Sequence, residues 1–133
     1  MNELNLGSIQ LPLTAVTKTF AILAKKGAGK SYTAGVMMEE MFSNGIPFVV
    51  FDPIDVHWGL RLKADGKSQG LNVVVFGVLD NADIPLNEDM GVAIAHAIVD
   101  RNISCVISTF GMSKKAQRKL IIDFSEELIK INK

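Results

Sequence analysis

The stretch Ala24-Lys25-Lys26-Gly27-Ala28-Gly29-Lys30-Ser31 constrains this chain more than any other. It joins a short apolar run, Phe20-Ala21-Ile22-Leu23-Ala24, to a segment with helical periodicity. Glycines at such a junction take backbone angles closed to other residues, and they let an anion approach the main chain closely. The helix that follows offers its first N–H groups and a partial positive charge. The stretch matches the end of the phosphate-loop pattern G-x-x-x-x-G-K-[ST], with Ala24 in place of the leading glycine. Read as a plain turn, it would leave Lys30 at a helix N-terminus, against the macrodipole, without purpose. The phosphate reading accounts for that lysine.

Each position then has an expected task. The amides from Gly27 to Tyr32 point into one concavity, so Lys26, Gly27, Ala28, Gly29, Lys30, Ser31 and Tyr32 form the expected nucleotide-binding set. Lys30 is the catalytic cation, reaching the β- and γ-phosphates, and Ser31 supplies a hydroxyl to Mg²⁺. Tyr32 contributes its backbone N–H, while its ring stays open between a place near the nucleotide and a place in the core. The side chains of Lys25 and Lys26 read as solvated loop lysines, with added charge near the phosphates as the alternative. Asp52, at the end of an apolar strand, is the second expected metal-side residue; Asp-Pro is also an ordinary turn opener. His57 and His96 lack companions at metal-ligand spacing. The basic cluster Lys114, Lys115, Arg118 and Lys119 reads as a solvated helix face.

Around this loop the pattern alternates apolar runs with helical segments, which predicts an α/β fold with a mostly parallel sheet and helices on both faces. Strands are expected at Phe20–Ala24, Pro47–Phe51, Asn72–Phe76 and Ile103–Thr109. Helices are expected from about Gly29 to Phe42, Glu88 to Arg101 and after Ser113. The first is apolar on most faces and so expected to be largely buried, with Ser43-Asn44-Gly45 as its stop. The second takes Asn87 as N-cap and Met90, Ile94 and Ile98 as its stripe; the third turns Leu120, Phe124, Leu128 and Ile131 inward. Ligands of such sheets bind at the carboxyl ends of the strands.

Composition narrows the function classes. With 133 residues, 48% of them hydrophobic, the chain suits one compact domain, a leading segment 1–18 followed by an α/β core 19–133. Lys+Arg and Asp+Glu both count 14, so no basic sheath for nucleic acid is present. Lone Cys105, in an apolar run, reads as core filler in a reducing cytoplasm. No apolar stretch has the ~20 residues of a membrane span, and the N-terminus lacks the features of a signal peptide.

Three segments carry a family resemblance: Ile22 to Thr33 around the loop, Phe51-Asp52-Pro53, and Trp58-Gly59-Leu60-Arg61. Together with Gly111-Met112-Ser113-Lys114, Phe124 and Leu128 they resemble the HerA-like family of ATP-binding proteins. The resemblance implies a three-layer, RecA-like P-loop core and ATP with Mg²⁺ as cofactors. It also implies a homo-oligomeric, often hexameric ring that acts as a helicase or translocase on double-stranded DNA. In that family the Walker B Asp-Glu pair follows the point where this sequence stops. The chain is therefore expected to be an N-terminal part of a larger ATPase, its core incomplete at the C-terminus. Thr109 stands where the family usually shows an aspartate. Two other functions fit a nucleotide loop: a non-catalytic nucleotide-binding module, and a small-molecule phosphotransferase, which would need an arginine-rich lid.

Overall fold

A computed structural model describes residues 3–132. Its contacts divide the chain into two compact units, Met1–Ile46 and Pro47–Lys133.

In the first unit, strands β1 (Glu3–Asn5) and β2 (Gln10–Pro12) pair as an antiparallel hairpin, with Leu4 opposite Leu11. A 3₁₀ turn over Leu13–Thr17 follows, and the glycine loop leads into helix α1 (Lys30–Ser43). The amide of Asn5 donates to Glu40 Oε2 at 2.9 Å and so ties the hairpin to the helix. Leu4, Ala15 and Met38 are the buried apolar residues here. The expected stop signal works. Gly45, at φ 72°, donates to the Phe42 carbonyl and Ile46 donates to that of Met41, which satisfies two carbonyls the helix leaves over.

Two expectations about this unit need correction. Phe20–Ala24 belongs to no sheet or helix, and its residues are exposed. An apolar run becomes a strand only when another strand accepts its hydrogen bonds, and five residues of sequence do not say whether one does. Helix α1 is also less buried than its composition implied. Met38 alone falls in the buried class, because Lys30, Ser31, Glu39 and Glu40 interrupt the apolar positions.

The second unit is built on a parallel sheet. Strands β3 (Val49–Asp52), β4 (Val74–Gly77), β5 (Ile84–Pro85) and β6 (Cys105–Ser108) lie in the order β3-β6-β4-β5, every pairing parallel. Strand β6 lies between β3 and β4, and all four of its residues are buried, so it reads Cys-Val-Ile-Ser without polar alternation. Helix α2 (Gly91–Arg101) precedes it and helix α3 (Lys114–Ile131) follows. Both pack on the sheet face that carries Phe76, Cys105 and Ile107, through Ile94, Ala95, Ile98, Leu120 and Phe124. Phe51 meets Phe124 edge to face at 5.2 Å. Burial pushes the Cys105 thiol up from 9.0 to about 12, which fits core filler.

Element ends follow local chemistry. Ser113 caps α3 as expected, its Oγ accepting from the Ala116 amide at 3.1 Å. Asn87 does not cap α2: its Oδ1 accepts from the Asp89 amide, and the N-cap position falls to Met90, whose sulfur accepts from the Asn87 amide at 3.3 Å and makes no bond to the helix. Strict strand–helix alternation also fails twice: only a 3₁₀ turn, His57–Arg61, stands between β3 and β4, and β4 runs on to β5 directly. Residues 78–83 return the chain from β4 to the parallel β5 with no helix between, held by Asp83 donating to Val75 and Leu86 to Gly77. The architecture is thus α/β with a parallel sheet flanked by helices, consistent with the RecA-like core. Among the described residues no helix is long and apolar enough to cross a membrane.

One glycine sets how closely α2 and α3 approach. A Cβ at Gly91 would meet the Leu120 carbonyl oxygen and the Phe124 nitrogen at 2.8 Å, both backbone atoms that cannot yield without moving the helix. Gly91→Ala is therefore expected to lose about 2 kcal/mol of stability despite alanine's better helix propensity. Urea unfolding would measure this against the exposed Val92→Ala; equal midpoints would mean the helices can separate freely.

Candidate functional site

In the first unit the glycine loop leads into α1 through two left-handed glycines. Gly27 and Gly29 have φ of 82° and 94°, in the left-handed region that glycine alone enters without strain. No atom lies within 4 Å of a Cβ built on either. The glycines are therefore needed for the turn, and open space lies beside them. Gly29 acts as the N-cap of α1 without any side-chain acceptor. Thr33 is the first helical amide with an intrahelical partner, the Gly29 carbonyl at 2.9 Å. The amides of Lys30, Ser31 and Tyr32 have no protein acceptor among the described residues. They belong to one half-buried and two exposed residues, so a partner for them comes from solution.

Lys30, the first residue of α1, is tied back to the loop. Its Nζ donates to the carbonyls of Ala24 at 2.8 Å and Lys25 at 3.1 Å, folding the side chain back across the loop. Those two oxygens offset the cost of an ammonium at the positive end of the helix. Two of the three ammonium protons are engaged, which leaves one for an anion. Ser31 is exposed, and its hydroxyl makes no hydrogen bond among the described residues. Lys26 and Ala28 are exposed loop residues, and the Ala28 amide closes the turn onto Lys25. Tyr32, whose ring the sequence left open, is 78% exposed and is not a core residue.

The carboxyl ends of the strands in the second unit gather a polar network. Asp52 ends β3 with 1% exposure. Its Oδ2 accepts from the amides of Val56 at 2.8 Å and His57 at 2.7 Å, and its Oδ1 from Ile54 at 3.3 Å. The side chain thus folds the turn after Asp-Pro. A direct metal bond would compete with those amides, so the metal role expected of Asp52 would have to use the lone pair left over. Thr109, 1% exposed, donates its amide to the Asp52 carbonyl. A threonine fits that buried place without the cost of burying a further charge.

A second carboxylate at this end of the sheet, Asp55, belongs to no motif in the sequence. Asp55 sits at φ 59°, one of two positive-φ residues other than glycine among those described. Its carboxylate accepts from Ser108 Oγ at 2.6 Å and from Asn81 Nδ2 at 2.8 Å, so it joins the end of β6 to the β4–β5 connection. Arg61 pairs with Asp83 and donates to the Asn81 carbonyl, while Asp83 Oδ2 accepts from the Val75 amide at 2.8 Å. A carboxylate three residues past a strand-end Asp-Pro was the only available signal. Its partners lie 26 and 53 positions away. His57 and His96 take no metal-like arrangement: His96 pairs with Glu127 at 2.7 Å, and no metal-holding cluster occurs among the described residues.

The sequence model of the family described as "Helicase HerA, central domain" matches residues 6–77, more than half of the chain. The match includes the glycine loop, α1, β3 and β4, whereas Gly111–Lys114, Phe124 and Leu128 lie beyond it. No curated protein and no solved structure matches the chain.

Because Asp52 accepts three backbone N–H groups in a buried setting, Asp52→Ala is expected to cost about 3 kcal/mol. Asp52→Asn, which keeps one oxygen acceptor, should cost roughly half of that. Denaturant midpoints would give the order, and hydrogen exchange at Val56 and His57 should accelerate first. Unchanged protection of those two amides would remove Asp52 from the turn.

Proposed function

This chain belongs to the family of the HerA helicase central domain, and from that membership we propose that its glycine loop binds ATP for a DNA-processing ATPase. The membership itself carries an ATPase-related function. The observation that supports a phosphate site in this chain is the row of amides at Lys30, Ser31 and Tyr32, without a protein acceptor at the start of a 14-residue helix. Lys30 adds the mobile cation, already poised by the Ala24 and Lys25 carbonyls.

In this proposal the loop residues do three things. The left-handed turns at Gly27 and Gly29 aim the amides at the β- and γ-phosphates. Lys30 exchanges part of its hold on the loop carbonyls for a phosphate oxygen, which couples loop shape to occupancy. Ser31, with its free hydroxyl, is the residue here that fits Mg²⁺, and the metal when bound neutralises phosphate charge. Lys26 and Ala28 line the turn through their backbone. The helicase or translocase activity, the ring assembly and the duplex-DNA partner belong to the same proposal and follow from the family alone.

Lys30→Ala is expected to weaken ATP binding by more than tenfold, about 1.4 kcal/mol or more, with the circular dichroism spectrum unchanged. Titration calorimetry with Mg²⁺ present measures it. Equal affinities would reduce Lys30 to a staple for its own loop. The DNA half of the proposal predicts that duplex DNA stimulates ATP turnover in the full-length protein. Turnover that ignores DNA but needs a small acceptor would make the protein a phosphotransferase instead.

A further inference from the structure

Tyr32 is the third residue of α1, and its ring stands 78% exposed immediately beside the unpartnered amides. The helical residues that follow it, Thr33 to Met38, are half-buried or buried, and exposure returns only at Glu39 and Ser43. Its hydroxyl makes no hydrogen bond among the described residues, and the ring takes part in no aromatic pair among them. A tyrosine ring is a large, stiff, amphipathic surface with few rotatable bonds, and leaving one in water forgoes its packing.

We propose that the Tyr32 ring is the platform on which the base of the bound nucleotide stacks. This rests on the phosphate reading of the loop. A nucleotide anchored by its phosphates at Lys30, Ser31 and Tyr32 must send its ribose and base outward past the first turn of α1. Tyr32 stands in that turn, next in sequence to the residue assigned to Mg²⁺. A ring reads the face of a base and not its edge, and every base has a π-face, so the contact adds affinity without choosing between adenine and guanine. The loop would thus hold the charged end of the ligand through amides and its flat end through one side chain.

The test compares ATP, GTP and inorganic tripolyphosphate by titration calorimetry on the wild type, Tyr32→Ala, Tyr32→Phe and Lys30→Ala. Tyr32→Ala should lose about tenfold for ATP and for GTP and leave tripolyphosphate binding unchanged, while Tyr32→Phe keeps most of the affinity. Lys30→Ala should weaken all three ligands. If tripolyphosphate binding depends on Lys30 but Tyr32→Ala leaves ATP binding intact, stacking is wrong and the loop assignment stands. An equal loss for tripolyphosphate in Tyr32→Ala also overturns stacking, because the ring would then be shaping the loop. If no ligand responds to Lys30→Ala, the phosphate reading fails and takes the platform with it.

Discussion

A helix cannot satisfy the N–H groups of its own first turn, and in this protein nothing in the described chain does so for α1. The usual remedy is a serine, threonine, aspartate or asparagine at the N-cap. Here the N-cap is Gly29, which has no side chain to offer. The same glycine, at φ 94°, makes the turn that exposes those amides. A lysine at the first helical position then adds positive charge where the dipole already supplies some. Three departures from ordinary helix design fall at one junction, and each becomes economical if an anion completes the turn.

The second unit resolves its polar groups internally. Asp52 is buried and turned onto three amides of its own chain, and Asp55 bridges Ser108 and Asn81. Parallel strands bring their carboxyl ends together, so the residues just after β3, β4 and β6 become neighbours although the sequence scatters them. The central strand β6 and the close contact at Gly91 hold that end in place, because both leave little room for the helices to shift. The contrast between the units is chemical. One presents backbone donors to solvent, and the other uses its carboxylates to satisfy donors.

Much of this was legible in the residues. The periods that predict α3 placed Leu120 and Phe124 inward, and Ser113 is the cap its hydroxyl allows. The stop at Asn44-Gly45 followed from glycine's access to positive φ. Strands β3, β4 and β6 sit within two residues of their expected starts and ends, since unalternating Val, Ile and Phe runs suit a sheet buried between layers. Other readings failed where the deciding partner was distant. The run Phe20–Ala24 is as apolar as β4 but has no ladder, and Asn87 met Asp89 before it could cap α2.

The sequence by itself determined the glycine loop, the lysine and hydroxyl that follow it, the α/β alternation and the likeness to the HerA family. Those are local facts: a turn type, a helix start and a periodicity each depend on residues within a few positions of one another. Only the tertiary structure decided that the Tyr32 ring faces water, that Asp52 serves its own turn, and that Asp55, Asn81 and Ser108 meet. Burial and long-range hydrogen bonds depend on which surfaces the folded chain brings together, and no short window of residues contains that information.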